Sequence, residues 1–160
     1  MDSTEADYER WQATPPPELF GDPMWRLPAY RLSRFLASIV PSDADRIRER
    51  MRSTYLSDQL QRAVDSIGIN IAEGYGRLHG RERARFFEFA LGSAREAREW
   101  YVRAERFLES GQAIGRARLL TRIVKILTVA VPQERAGSSE RRIRRALSWR
   151  KTHGQDDDTS

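Results

Sequence analysis

The sequence predicts an all-α protein. Four segments repeat apolar residues at helical spacing, almost nothing alternates as a half-buried strand would, and one segment carries two adjoining apolar lanes of the kind bundle helices use. A chain of 160 residues is long enough for one domain with an adequate core.

Residues 1–27 read as an acidic, loosely ordered arm. Pro15-Pro16-Pro17 favours extended polyproline backbone and Gly21-Asp22-Pro23 is turn chemistry, while Trp11, Phe20 and Trp25 are placed to pin the arm to the body. The bundle is expected over residues 28–133. Its first helix runs from about Pro28 to Met51 with Leu32, Phe35, Leu36 and Ile39 on one face. Pro41 should break or kink it, and Ser42 or Asp43 can cap the continuation. The second helix is expected to start at Ser57 as N-cap and carries Leu60, Val64, Ile67 and Ile71 in bundle register. Gly74-Tyr75-Gly76 and the loop Arg77-Leu78-His79-Gly80 should end it, the glycines allowing a left-handed residue. A phosphate loop is the poorer reading of these glycines, because no strand precedes them and no Gly-Lys-Ser/Thr follows.

The third helix has the strongest pattern. Phe86, Ala90, Ser93, Ala97, Trp100, Ala104 and Phe107 form one lane and Phe87, Ala94, Tyr101 and Leu108 the next, a face wide enough to pack on more than one neighbour. Ala90, Gly92, Ser93, Ala94 and Ala97 would let a partner helix come close. Ser110-Gly111 then turns the chain into a fourth helix, from about Ala113 to Val131, with Leu120, Ile123, Val124, Leu127 and Val131 inward and Pro132 as a stop. Its Ile123–Val131 end is expected to be buried nearly all round. Residues 134–160 read as an Arg-rich segment, able to form a short basic helix behind Ser138-Ser139, with a disordered acidic end at Asp156-Asp157-Asp158.

Charge is distributed unevenly. Lys and Arg number 28 against 23 Asp and Glu, a net +5, but residues 1–23 carry −5 and residues 151–160 carry −2, leaving +12 on the body between them. Of the 26 bases in that body all but Lys125 are Arg, whose planar fork suits bidentate phosphate contact. Arg81, Arg83 and Arg85 open the third helix, where the dipole favours acids. Such a cluster suits a phosphate, although Glu82, Glu88 and ordinary solvation offer a plainer account. Arg141, Arg142, Arg144 and Arg145 form a second cluster, read either as an RNA-binding segment that orders on contact or as a solvated tail.

Little in the chain is equipped for catalysis. With no Cys and two distant His residues, thiolate chemistry, disulfides and imidazole metal clusters are excluded, and no metal or cofactor site is expected. No apolar run approaches membrane-spanning length and the N-terminus is acidic, so a soluble cytoplasmic protein is expected. Ser66, Asn70, Glu73 and Arg77 make a polar stripe beside the second helix's apolar face, with Glu73 four residues before Arg77 in the favourable order for an ion pair. These groups should hydrogen-bond to a neighbouring helix. Glu73 as a general base is the alternative, with no His or second acid to assist it. Ile69 and Ala72 lie on the far side of the helix from Ile67 and Ile71, and self-association would cover them.

Ser66-Ile67-Gly68-Ile69-Asn70-Ile71-Ala72-Glu73-Gly74-Tyr75-Gly76-Arg77, preceded by Gln59-Leu60 and followed by Arg85-Phe86-Phe87-Glu88-Phe89-Ala90-Leu91-Gly92-Ser93-Ala94-Arg95-Glu96, resembles the four-helix-bundle family named for proteins encoded in intervening sequences of 23S ribosomal RNA genes. The likeness covers roughly residues 27–133. It implies an antiparallel up-and-down four-helix bundle assembling as a homopentameric barrel, without established enzymatic activity. It also implies kinship with the accessory variability proteins of diversity-generating retroelements, basic pentamers that bind nucleic acid and a reverse transcriptase. Together the residues and the resemblance lead to an expected non-enzymatic, oligomeric, nucleic-acid-binding bundle, RNA favoured, that uses Arg–phosphate contacts. The alternative is a protein-interaction scaffold or accessory subunit for a nucleic-acid enzyme such as a reverse transcriptase.

Overall fold

The computed structural model describes residues 3–14, 17–19, 21–51 and 54–153, with side chains described up to residue 137. Among them are five α-helices and no strand: α1 (Ser3–Ala13), α2 (Pro28–Met51), α3 (Tyr55–Tyr75), α4 (Gly80–Ala104) and α5 (Gln112–His153), with single 3-10 turns at Pro17–Leu19, Pro23–Arg26 and Glu105–Phe107.

Helices α2 to α5 pack each against its neighbours in sequence, and α2 closes the ring on α5. Pairs at opposite ends fix the directions as antiparallel. Arg48 at the end of α2 reaches Asp58 at the start of α3 at 3.1 Å, and Tyr55 at the start of α3 meets Trp100 at the end of α4 with ring centroids 5.9 Å apart. The core is filled mainly from α2, α3 and α5, by Leu32, Leu36, Val40, Ile47, Leu60, Val64, Ile67, Ile71, Leu119, Leu120, Ile123 and Leu127, all nearly or wholly without solvent contact. By contrast, α4 turns mostly alanine inward: Ala84, Ala90, Ala94, Ala97 and Ala104, with Phe87 and Tyr101 as the large side chains. The lane of Phe86, Ser93 and Trp100, expected to share the core, is only partly buried along the α3–α4 flank. The seam is too narrow there to take rings on both lanes.

Several local rules give way to packing. Pro41 was expected to break or kink its helix and Pro132 to stop its own, yet both α2 and α5 continue past them. Both prolines are exposed, so the carbonyl one turn earlier that loses its N–H partner lies on the side where water can serve it. Ser57 is no N-cap; it is buried inside α3 with Oγ donating to the Thr54 carbonyl at 2.8 Å. Gly76 has φ −69° and adopts no left-handed turn, whereas Gly111, between α4 and α5, does at φ 83°. Gly74 lies within α3 for a different reason. A Cβ there would stand 2.9 Å from Phe86 Cβ and 3.2 Å from the Phe87 ring, so glycine sets how near α4 can come. The Ile123–Val131 stretch of α5 is not buried all round either: Lys125, Thr128 and Val129 are exposed.

The N-terminal segment is also more ordered than its composition suggests. Thr4, Tyr8 and Trp11 recur at four and three residues and form one face of α1. Tyr8 is 1% exposed and meets Phe35 edge-on at 5.5 Å, while Trp11 packs on Trp25 at 5.5 Å and on Phe35 at 5.7 Å. Burying such rings contributes about 1.5–3 kcal/mol each, enough to hold a short helix that would not persist alone. Phe20, Pro15 and Pro16 lie outside the described residues.

A polar network crosses the interior. Tyr101 Oη donates to Asp43 Oδ2 at 2.8 Å, Arg116 Nε donates to the same oxygen at 3.3 Å, and Arg116 Nη1 donates to Thr4 Oγ1 at 2.7 Å. All four side chains are buried, so α1, α2, α4 and α5 meet in one charge-balanced cluster. Asp43, expected as a cap, is its acceptor.

Gly74→Ala should lower unfolding free energy by about 1–3 kcal/mol, because overpacking against the Phe86 Cβ and the Phe87 ring exceeds the helix-propensity gain. Gly92→Ala, whose Cβ would meet nothing within 4 Å, should raise it by about 0.5–1 kcal/mol, and urea denaturation reads both. Burial, with the Asp43 charge beside it, pushes the Tyr101 phenol well above its ordinary 10.0, and burial raises Tyr8 as well. Unfolded, these phenols ionise near pH 10.0; folded, they hold their protons beyond it, so above that pH the unfolded chain binds fewer protons. Their contribution is full below pH 10.0 and is lost as pH rises through the folded values. The urea midpoint should therefore fall on the alkaline side, and Tyr101→Phe should flatten that fall while lowering neutral-pH stability by about 1–3 kcal/mol through loss of Asp43's donor.

Candidate nucleic-acid interface

The loop Gly76–His79 brings α3 to the start of α4, and His79, extended at φ −102° and ψ 128°, supplies no side-chain cap. The first amides of α4 are thus uncapped at the positive end of the helix. Arg81, Arg83 and Arg85 follow, and the structure separates them. Arg81 and Arg85 are exposed one turn apart on the same lane, and neither has an ion-pair partner among the described residues. Arg83 turns the other way. Its Nη1 lies 3.3 Å from Glu134 Oε2, its Nη2 donates to the Arg77 carbonyl at 3.0 Å, and its guanidinium sits 5.8 Å from the Tyr75 ring centroid. Arg83 therefore clasps the α3–α4 loop to α5 and leaves the solvent-facing cluster, because α5 supplies a carboxylate where α4 faces inward.

Two residues not singled out from sequence complete the surface. Phe89, one turn beyond Arg85, is 47% exposed with the Arg85 guanidinium 5.6 Å from its centroid. Arg135 of α5 pairs with Glu88. Arg81, Arg85, Glu88, Phe89 and Arg135 line a concavity of about 690 Å³. Their net charge is +2 around an aromatic ring, an arrangement that can hold phosphate oxygens and the flat face of a base. The helical spacing of Arg81, Arg85 and Phe89 was legible; their proximity to Arg135 on another helix was not. Arg141, Arg142, Arg144 and Arg145 lie outside the described side chains.

The polar stripe on α3 lies against α4. Ser66 Oγ and Ser93 Oγ are 3.0 Å apart, and Asn70 Nδ2 donates to the Ser66 carbonyl at 2.8 Å and to Ser66 Oγ at 2.9 Å. Glu73 binds Arg77 at 2.5 Å, and Arg77 stacks 4.7 Å over Phe86. Glu73 is half exposed and paired with Arg77 of the loop that follows α3. Of the two apolar residues opposite, Ala72 packs against the core and Ile69 alone remains uncovered, at 64% exposure. A second concavity, about 570 Å³, lies along α5, floored by Val102, Ile114 and Ala117 and edged by Glu5, Arg122 and Lys125. Among the described residues no group of three His, Asp or Glu could hold a metal ion, and no helix is long and apolar enough to cross a membrane.

No curated protein matches the chain. A crystal structure of a protein of unknown function from the S23 ribosomal protein family of Bacteroides thetaiotaomicron shares its fold, with a TM-score of 0.60 at 21% identity over 64% of this chain and 97% of that one. The family model of the 23S rRNA-intervening sequence protein matches residues 27–128, which comprise α2, α3, α4 and the first part of α5 and leave α1 outside. With most of the bundle inside that match, the chain belongs to the 23S rRNA-intervening sequence protein family.

Proposed function

We propose that this protein is a non-enzymatic, cytoplasmic, homo-oligomeric bundle that binds nucleic acid, RNA in preference, through arginine–phosphate contacts at the start of α4. The observation that carries this reading is the exposed lane of Arg81 and Arg85 beside Arg135 over a concave surface. The +12 body supports it, since such a field draws polyanions, and so does a family named for intervening sequences of ribosomal RNA. A homopentamer is the assembly that the resemblance implies, and exposed Ile69 on α3 is the apolar residue it would cover. A second reading, a docking scaffold for an acidic protein or a nucleic-acid enzyme such as a reverse transcriptase, draws on the groove of Val102 and Ile114, whose rim carries Arg118, Arg122 and Lys125 against Glu5 and Glu105.

Anisotropy titrations with RNA and DNA at two salt concentrations distinguish the two. Nucleic-acid binding should weaken with salt at a log–log slope of about −0.7 to −0.9 per phosphate contacted. Replacing Arg81 and Arg85 together by Gln should reduce that slope by about one to two and weaken binding to every sequence alike. Arg83→Gln should instead lower the melting temperature with the slope unchanged. No binding at low salt, or binding indifferent to salt, would refute the nucleic-acid reading. Light scattering coupled to size exclusion should give an oligomer that Ile69→Asp weakens, and a monomer at micromolar concentration would count against assembly.

A further inference from the structure

We infer that the α4 surface is selective for unpaired nucleotides, with Phe89 as the platform on which a base stacks and Arg81 and Arg85 as holders of the adjoining phosphates. The inference rests on the nucleic-acid reading above and adds the class of nucleic acid. Arg81, Arg85 and Phe89 stand at successive intervals of four residues, so cation, cation and ring share one lane along ~12 Å of helix. The ring is half exposed on α4 and open to the concavity it shares with Arg135 of α5. It is also held in place. Phe86 meets it edge-on at 6.0 Å and 84°, and Phe86 is itself fixed beneath Arg77 at 4.7 Å. The Arg85 guanidinium near the ring adds a cation that can stay in contact with a stacked base or pass to its phosphate. The concavity of about 690 Å³ around them falls within the ~300–1,000 Å³ typical of small-ligand sites.

Duplex RNA cannot use such a platform. Its base faces are occupied by their neighbours and its major groove is too narrow for side chains, so it would meet only the arginines. A single strand can meet the arginines and the ring together, and stacking on an aromatic side chain typically changes affinity by about five- to a hundredfold per base.

The test is a pair of anisotropy titrations of the full chain, with a short single-stranded RNA of mixed sequence and with the same strand annealed to its complement, at one salt concentration. The single strand should bind about tenfold tighter or more. Phe89→Leu keeps an apolar side chain without a π-face, and it should bring the single strand down to the duplex level with the salt slope unchanged. A strand carrying 2-aminopurine should be quenched on binding the wild-type protein, a stacking signal that does not depend on any variant folding. Equal affinity for the two RNAs, an unquenched probe, or full single-strand affinity in Phe89→Leu would overturn this inference and leave salt-dependent binding standing. Absence of binding to either RNA at low salt would overturn the underlying reading as well.

Discussion

The closeness of α4 to its neighbours governs the rest of the structure. Its inward face is built from Ala84, Ala90, Ala94, Ala97 and Ala104, and α3 answers at the tightest point with Gly74, where even a methyl group would overlap Phe86. Small residues on a helix between two others let both approach, and their larger side chains then fill the space that remains. That is why Leu60, Val64, Ile67 and Ile71 on α3 and Leu119, Leu120, Ile123 and Leu127 on α5 are sealed while the rings of Phe86 and Trp100 are pushed to the flank. The outward consequence matters as much. Aromatic and cationic residues that the seam cannot admit stand on the outer surface of α4, which is where the candidate interface lies.

Close approach also lets Tyr101 reach Asp43 on α2. A buried carboxylate is costly unless it is both paired and hydrogen-bonded, and here Arg116 supplies the charge and Tyr101 the neutral donor. Replacing Asp43 or Arg116 by an apolar residue leaves the other's charge buried without its counterion, whereas replacing Tyr101 leaves Asp43 one donor short. Such a cluster contributes less to net stability than to choosing one arrangement of helices over nearby alternatives, because an apolar contact tolerates a sliding neighbour and this geometry does not.

Periodicity revealed which faces of α3 and α5 point inward, because four-and-three spacing of large aliphatic residues has one economical solution. It was weaker for α4, where two lanes competed and the choice depended on space left by other helices. Pro41 and Pro132 misled for a related reason: whether a proline ends a helix depends on whether water can serve the freed carbonyl, a matter of tertiary exposure. Tyr8 and Trp11 sit in a segment whose acidity and prolines suggested an arm, and only the surface offered by Phe35 and Trp25 makes it a helix. At the candidate interface, Arg81 and Arg85 were readable from charge and spacing. Arg83 was not separable from them, since Glu134, its carboxylate partner, lies 51 residues away, and nothing local announced that Phe89 would remain uncovered.

The hydrogen bond from Arg116 to Thr4 joins residues 112 positions apart, and it has a kinetic meaning. Pairings so distant in sequence carry the largest loop-closure cost and form after local contacts are in place. During synthesis α1 emerges long before α5, with Tyr8 and Trp11 still lacking part of the surface that later covers them. The α2–α3 and α3–α4 hairpins can close meanwhile, since their contacts are short-range. Closure of the buried cluster thus ties α1 to the start of α5 across the hairpins that lie between them.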